Sequence, residues 1–138
     1  LKVETMWQNS EVTDPLTGEK RRFSEQRPEK INVNFRQDLP ALNLTFGLGW
    51  FHGWRENYYQ GTAVEKLHLK DFFNSFVEWK PNTGFTLRAE LNNFDAYSFD
   101  IERRLYNGPR EVNPLASVET ERRNSQVLGL LSARWTFN

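Results

Sequence analysis

Residues able to do chemistry are few in this chain, and their spacing argues against catalysis. His52 and His68 are the only histidines, and there is no cysteine. The two lack the close spacing and acidic partners by which side chains share one ion, so no metal ligand is assigned. The carboxylates are scattered, and any pair chosen for acid–base work would be arbitrary. No Ser-His-Asp set has a supporting motif. Gly47-Leu48-Gly49, followed by Gly53, lacks the strand-to-helix context and the Lys of a phosphate loop. No catalytic or cofactor-binding residue is therefore assigned, no cofactor is expected, and the chain is expected not to be an enzyme. What remains is recognition. Trp54, Tyr58 and Tyr59 carry rings that stack on a ligand or anchor at a membrane interface, and anchoring is the favoured reading. The charged runs Glu102-Arg103-Arg104 and Glu119 to Arg123 suit a polar path for a solute, but cross-strand ion pairing is the more ordinary use of such runs.

The elements that position these residues are strands. Six candidates follow one another along the chain: 1–9, 31–39, 42–54, 67–79, 85–101 with a polar kink at Asn92-Asn93, and 118–137. In 42–54, Leu42, Leu44, Phe46, Leu48 and Trp50 alternate with Asn43, Thr45, Gly47 and Gly49, the period-two pattern of a strand with unlike faces. In Gln126 to Phe137, Val127, Gly129, Leu131, Ala133, Trp135 and Phe137 form one non-polar side, while the other turns polar toward its end. A strand with one face on lipid and the other on a wet lumen reads this way. The window 67–79 fits helical spacing through Leu69, Phe72, Phe73, Phe76 and Val77 as well as it fits a strand. Its neighbours favour a strand. Tight connections are expected at Pro40 and at Pro81 to Gly84, and longer polar ones around Asp14, Gly61 and Gly108.

Composition bounds the function. The chain has 138 residues, with 18 basic and 18 acidic side chains and a mean hydropathy of −0.73. Zero net charge removes the basic footprint of a nucleic-acid binder. No run of apolar residues is long enough for a transmembrane helix. A membrane-spanning barrel is compatible, since alternate residues of its strands are polar. Aromatics make up 14% of the chain, which favours strands and interfaces. Trp79, Phe85, Trp135 and Phe137 are expected at one end of the strands and Trp7, Trp50, Trp54, Tyr58 and Tyr59 at the other, as two aromatic girdles.

The stretches TDPLTGEKRR (13–22), NFRQDLPAL (34–42), FVEWKPNTGFTLRAELNNF (76–94), YNGPR (106–110) and ERRNSQVLGLLSARWTF (121–137) together resemble the C-terminal barrel segment of TonB-dependent outer-membrane receptors. Asn138 departs from the family, which usually ends on the aromatic itself, here Phe137. The resemblance implies a plugged barrel of about 22 strands, of which residues 1–138 are the C-terminal part, with plug and earlier strands absent. It implies location in the outer membrane of a Gram-negative bacterium and active uptake of a scarce solute such as a siderophore, cobalamin or a sugar. The implied partners are the lipid bilayer, the TonB protein through missing N-terminal regions, the barrel-assembly machinery and the transported solute.

The expected fold is all-β: an antiparallel up-and-down meander of about six strands, the closing part of a large transmembrane barrel. Leu44, Phe46, Leu48, Val127, Leu131 and Trp135 are expected to face lipid, Phe137 to serve assembly, and Trp54, Tyr58 and Tyr59 are the candidates for ligand contact. The competing reading is a soluble all-β ligand-binding module, a lipocalin-like barrel or sandwich. It shares the alternation and differs in which face points inward.

Overall fold

Alternating apolar and polar residues become strands throughout. The computed structural model describes residues 1–136. Twelve strands form in chain order: β1 (Lys2–Trp7), β2 (Val12–Thr13), β3 (Lys20–Arg21), β4 (Glu29–Leu39), β5 (Leu44–Phe51), β6 (Arg55–Tyr59), β7 (Ala63–Leu69), β8 (Phe72–Asn82), β9 (Phe85–Asn92), β10 (Ser98–Tyr106), β11 (Leu115–Asn124) and β12 (Leu128–Trp135). A six-stranded sheet runs β1-β4-β5-β8-β9-β12, a four-stranded sheet runs β11-β10-β7-β6, and β2 pairs with β3 alone. Every pairing among the described residues is antiparallel.

The two larger sheets are built from the same passes of chain. β5 continues into β6, β7 into β8, β9 into β10 and β11 into β12 after short interruptions. The neighbour order β5-β8-β9-β12 in one sheet therefore reappears as β6-β7-β10-β11 in the other. Specific residues make the interruptions. A Cβ on Gly53 would collide with the Leu69 carbonyl oxygen and the Lys70 backbone, so only glycine lets the two chains approach there. Asp71 accepts hydrogen bonds from Gly53 N–H at 2.8 Å and Trp50 Nε1 at 2.9 Å, fixing one break against the other. At the second junction Asn93 is left-handed, with φ 56°. Its Nδ2 donates to Gln126 O at 3.0 Å and its Oδ1 accepts from Tyr97 N–H at 3.1 Å. Asparagine suits this position because its short amide bonds locally while tolerating positive φ.

Register sorts the six-stranded sheet into unlike faces. Leu44 lies opposite Trp79, Phe46 opposite Val77 and Trp50 opposite Phe73; Val77 lies opposite Ala89, and Ala89 opposite Leu131. These residues share an apolar face. Thr45 opposite Glu78, Gly47 opposite Phe76 and Gly49 opposite Asn74 share the other. Thr45, Gly47 and Gly49 are buried, whereas Leu48 is 51% and Leu131 75% exposed. The usual order of a water-soluble sheet, apolar in and polar out, is reversed. The glycines follow from that reversal: a Cβ on Gly47 would meet the Phe76 ring, and one on Gly49 the Asn74 amide.

Several expectations are corrected. Twelve strands in three sheets replace the six-strand meander, and the described strands do not close a barrel, since β1 and β12 are free edges. Each long candidate strand had to bend where backbone groups of adjacent passes meet, and a period-two pattern does not register such bends. Residues 67–79 are extended, as the end of β7 and most of β8, because β-ladder partners on both sides take their backbone groups. Helical spacing cannot satisfy those edges. The connection at Gly61 is short, a hairpin of three residues between β6 and β7, rather than a long loop. Pro40–Leu42 form a 3-10 turn ended by left-handed Asn43, so Leu42 precedes the strand instead of opening it. The tight turn before Phe85 and the kink after Asn92 stand where the sequence places them.

Candidate functional site

The apolar face of the six-stranded sheet is bounded by rings. Trp79 and Phe85 meet edge-on with centroids 6.5 Å apart, and Phe85 meets Trp135 at 5.4 Å. Toward the other end stand Trp7, Trp50 and Phe73, joined in register to Glu29, Val33 and each other's strands. From Trp79 to Phe73 is about 20 Å along the strand, close to the height of the apolar band of an outer-membrane barrel. Between the two rows lie Phe46, Leu48, Val77, Leu87, Ala89, Leu91 and Leu131, with Ser75 the polar exception on β8.

The opposite face is polar and internally paired. Arg88 Nε lies 2.7 Å from Glu90 and its Nη1 3.4 Å from Glu78, which also meets Lys80 Nζ at 2.7 Å. The same guanidinium sits 3.9 Å above the Phe76 ring. Phe76 is thus held between Gly47 and Arg88. Thr45 Oγ1 donates to Asp38 at 2.6 Å, and Arg36 holds the same carboxylate at 3.1 Å. The charges of Glu78, Lys80, Arg88, Glu90, Arg36 and Asp38 are matched by neighbours two residues along or one strand across.

Where the two sheets part, a cavity of about 920 Å³ opens, lined by Trp54, Tyr59, His52, Asp71, Arg55 and residues around them. Trp54 Nε1 donates to Glu56 at 3.1 Å, and the Arg27 guanidinium covers its ring at 3.9 Å. His52 stands between two carboxylates: Nε2 is 3.4 Å from Glu29, and Nδ1 is 3.1 Å from Asp71 but without the alignment of a hydrogen bond. Burial acts to raise the Asp71 carboxyl, and the donors from Gly53 and Trp50 outweigh it, leaving Asp71 below the ordinary carboxylate range.

Above the cavity three connections are tied by one carboxylate. Asp14 is the most deeply buried side chain, 2% exposed. It accepts from Arg110 Nη2 at 2.7 Å, Arg21 Nε at 2.8 Å and Leu16 N–H at 2.9 Å. Arg110 also donates to Gln60 O at 2.7 Å. The connections β1–β4, β6–β7 and β10–β11 therefore converge on Asp14. Tyr59 lies beneath, its ring centroid 4.3 Å from the Arg21 guanidinium. The Arg110 hydrogen bond is the largest reason that Asp14 titrates far below an ordinary carboxylate.

The structure places the sequence candidates unequally. Leu44, Phe46, Leu48, Leu131 and Trp135 share the apolar face; Trp135 is 64% exposed there. Val127 is exposed just before β12, and Phe137 lies outside the described residues. Trp54 and Tyr59 meet at the cavity, while Tyr58 is exposed and does not line it. All three were expected as girdle residues, but Trp54 sits at the junction just before β6, and Tyr58 and Tyr59 sit in β6, in a different sheet from Trp7 and Trp50. No sequence pattern marks Asp14, Asp71, Asn93 or Arg110 as a site residue. Asp14 stood only inside a loop signal, and its partner Arg110 is 96 positions away, a separation no local pattern spans. The charged runs form ion pairs across strands: Arg103 with Glu65 at 2.7 Å and Arg122 with Asp100 at 2.7 Å. Among the described residues no cluster of His and carboxylate side chains is arranged to hold a metal ion.

Comparison with protein-family models, with curated proteins and with solved structures yields no match.

Proposed function

We propose that this chain is a piece of the wall of a large outer-membrane β-barrel, of the kind found in TonB-dependent receptors, and that it takes part in uptake of a scarce solute. One observation carries the reading: a broad sheet exposes its apolar face between two rows of aromatic rings and packs Gly47, Gly49, Thr45 and paired charges on the other side. An apolar surface of that breadth is costly in water and stable in hydrocarbon. The second sheet continues the same hairpins past the aromatic row at Trp50 and Phe73, and its ion-paired strands suit an aqueous space outside the membrane.

Site-directed spin labels test it in the longer parent barrel reconstituted in lipid. Labels at Leu48 and Leu131 should be accessible to oxygen and shielded from a water-soluble quencher. Labels at Thr86 and Ser132, on the polar face, should show the reverse. If the chain dissolves without detergent and the pattern inverts, the soluble binding module is the better description.

A further inference from the structure

The chain as a whole is neutral, yet the four-stranded sheet distributes its charges unequally between its faces. Residues opposite one another in an antiparallel pair project from the same side. Three register rows define one side: Arg55–His68–Asp100–Arg122, Asn57–Lys66–Glu102–Thr120 and Tyr59–Val64–Arg104–Val118. That face carries four permanent cations, Arg55, Lys66, Arg104 and Arg122, against two carboxylates, Asp100 and Glu102. The other face carries Glu56, Glu65, Glu119 and Glu121 against Arg103 and Arg123.

Both carboxylates on the basic face are already held. Asp100 accepts from Arg122 at 2.7 Å. Glu102 lies 2.7 Å from Arg104 and 3.3 Å from Lys66. Arg122 holds the Asp100 carboxyl below its ordinary range, and Arg104 does the same for Glu102, so both acids stay ionised and engaged. Arg55 has no such partner among the described residues, and its register neighbour is His68. Arg55, Asn57 and His68 line a second cavity of about 500 Å³ on this face, together with Lys66, Arg122 and the engaged carboxylates Asp100 and Glu102; Arg55, Asn57 and His68 also line the larger cavity at the sheet junction. The volume is that of a small-molecule site.

We infer that the cleft on the Arg55 face is a binding site for a small anionic solute, one bearing carboxylate or phosphate groups, with Arg55 as its principal anchor and Lys66, His68 and Arg122 around it. A guanidinium offers two parallel donors to such a group and does not lose its charge. Lys66 and Arg104 share the single Glu102 carboxylate, which leaves one positive charge uncompensated near Arg55, while Asp100 neutralises Arg122. The faces are defined by strand register alone, so this inference stands apart from the membrane reading.

Isothermal titration of the full chain in detergent micelles at low ionic strength tests it. Citrate, inorganic phosphate and uncharged maltose serve as probes. Citrate or phosphate should bind saturably and maltose should not; whichever anion binds more tightly distinguishes the two chemistries. Arg55→Gln should weaken the anion at least tenfold, and Arg55→Lys, which keeps the charge but not the paired donors, should restore only part of the loss. Arg103→Gln, on the opposite face, should leave binding unchanged. Circular dichroism of each variant confirms that the strands persist. Absence of saturable anion binding, equal binding of maltose, or equal losses in Arg55→Gln and Arg103→Gln would overturn the inference. None of these outcomes bears on whether the apolar face meets lipid, which the spin labels report separately.

Discussion

Single side chains hold the points where passes of chain separate. Asp14 is the clearest case, because a buried carboxylate is tolerable only when cations and N–H groups surround it. Its folded-state pKa is depressed, so its contribution is present above the ordinary carboxylate value and is lost as pH falls through the lower folded value. The tie between the three connections should therefore persist through mildly acidic pH and fail only in strong acid. Asp14→Asn removes the charge at every pH and should loosen the clasp by about 3 kcal/mol, since Arg21 and Arg110 lose their counter-charge. Hydrogen exchange at Leu16 and Gly18 reads this directly: in the parent, protection should be nearly flat from pH 7 to 5, and in the variant it should be low throughout. Gly47 presents the opposite constraint, a place where no side chain fits. Gly47→Val should destabilise the sheet by about 1–3 kcal/mol by displacing Phe76. Chemical unfolding followed by tryptophan fluorescence would show it, and Gly129→Ala, where a Cβ meets open space, is the matched control.

At the scale of elements, the interruptions between paired strands are built features. Asn93 combines a left-handed backbone, a donor to Gln126 and an acceptor for Tyr97. Replacing it with alanine forfeits both side-chain bonds and the local amide hydrogen bonding that offsets the strain of positive φ, at a cost of about 2–3 kcal/mol. The loss should be local. Amide exchange should rise at Tyr97 and Ser125, while the β8–β9 ladder, which ends at Asn92, should keep its protection. Uniform loss across both sheets would mean that the junction is not a separate unit. The hairpin β6–β7 and the strands β10–β11 hold one another through ladders and ion pairs. They keep the cavity-lining residues at a set distance from the six-stranded sheet.

For the whole molecule, the decisive property is which face meets water. The proposed barrel also sets direction. The turn at Thr83-Gly84 and the 3-10 turn at Pro40–Leu42 lie at one end of the six-stranded sheet, and the connections through Gly18 and Asn113 lie beyond the other. Single cysteines are convenient reporters because the chain has none of its own. In intact cells expressing the parent protein, a membrane-impermeant thiol reagent should label Gly18→Cys and Asn113→Cys. It should spare Asn82→Cys until the outer membrane is opened. Labelling of Asn82→Cys with protection of Asn113→Cys would show the orientation reversed.

Much of the architecture was legible in order. Strand content, the alternation at Leu44 to Trp50 and Gly129 to Trp135, the Pro81–Gly84 turn and the kink after Asn92 follow from local pattern, because side-chain direction in a strand has period two and turn residues act on their own backbone. The placement of Trp79, Phe85 and Trp135 in one row was legible for the same reason. Local pattern could not reveal that the long strands break at Gly53, Lys70-Asp71 and Ser125, since each break is set by a backbone group on a neighbouring strand. Nor could it say that Thr45 and Gly47 are the covered side, because alternation is symmetric between in and out until a sheet has partners. The Asp14 clasp and the unequal charge of the two faces of the four-stranded sheet were least legible. They join residues that register and loop convergence bring together, and only the tertiary structure decides which distant residues those are.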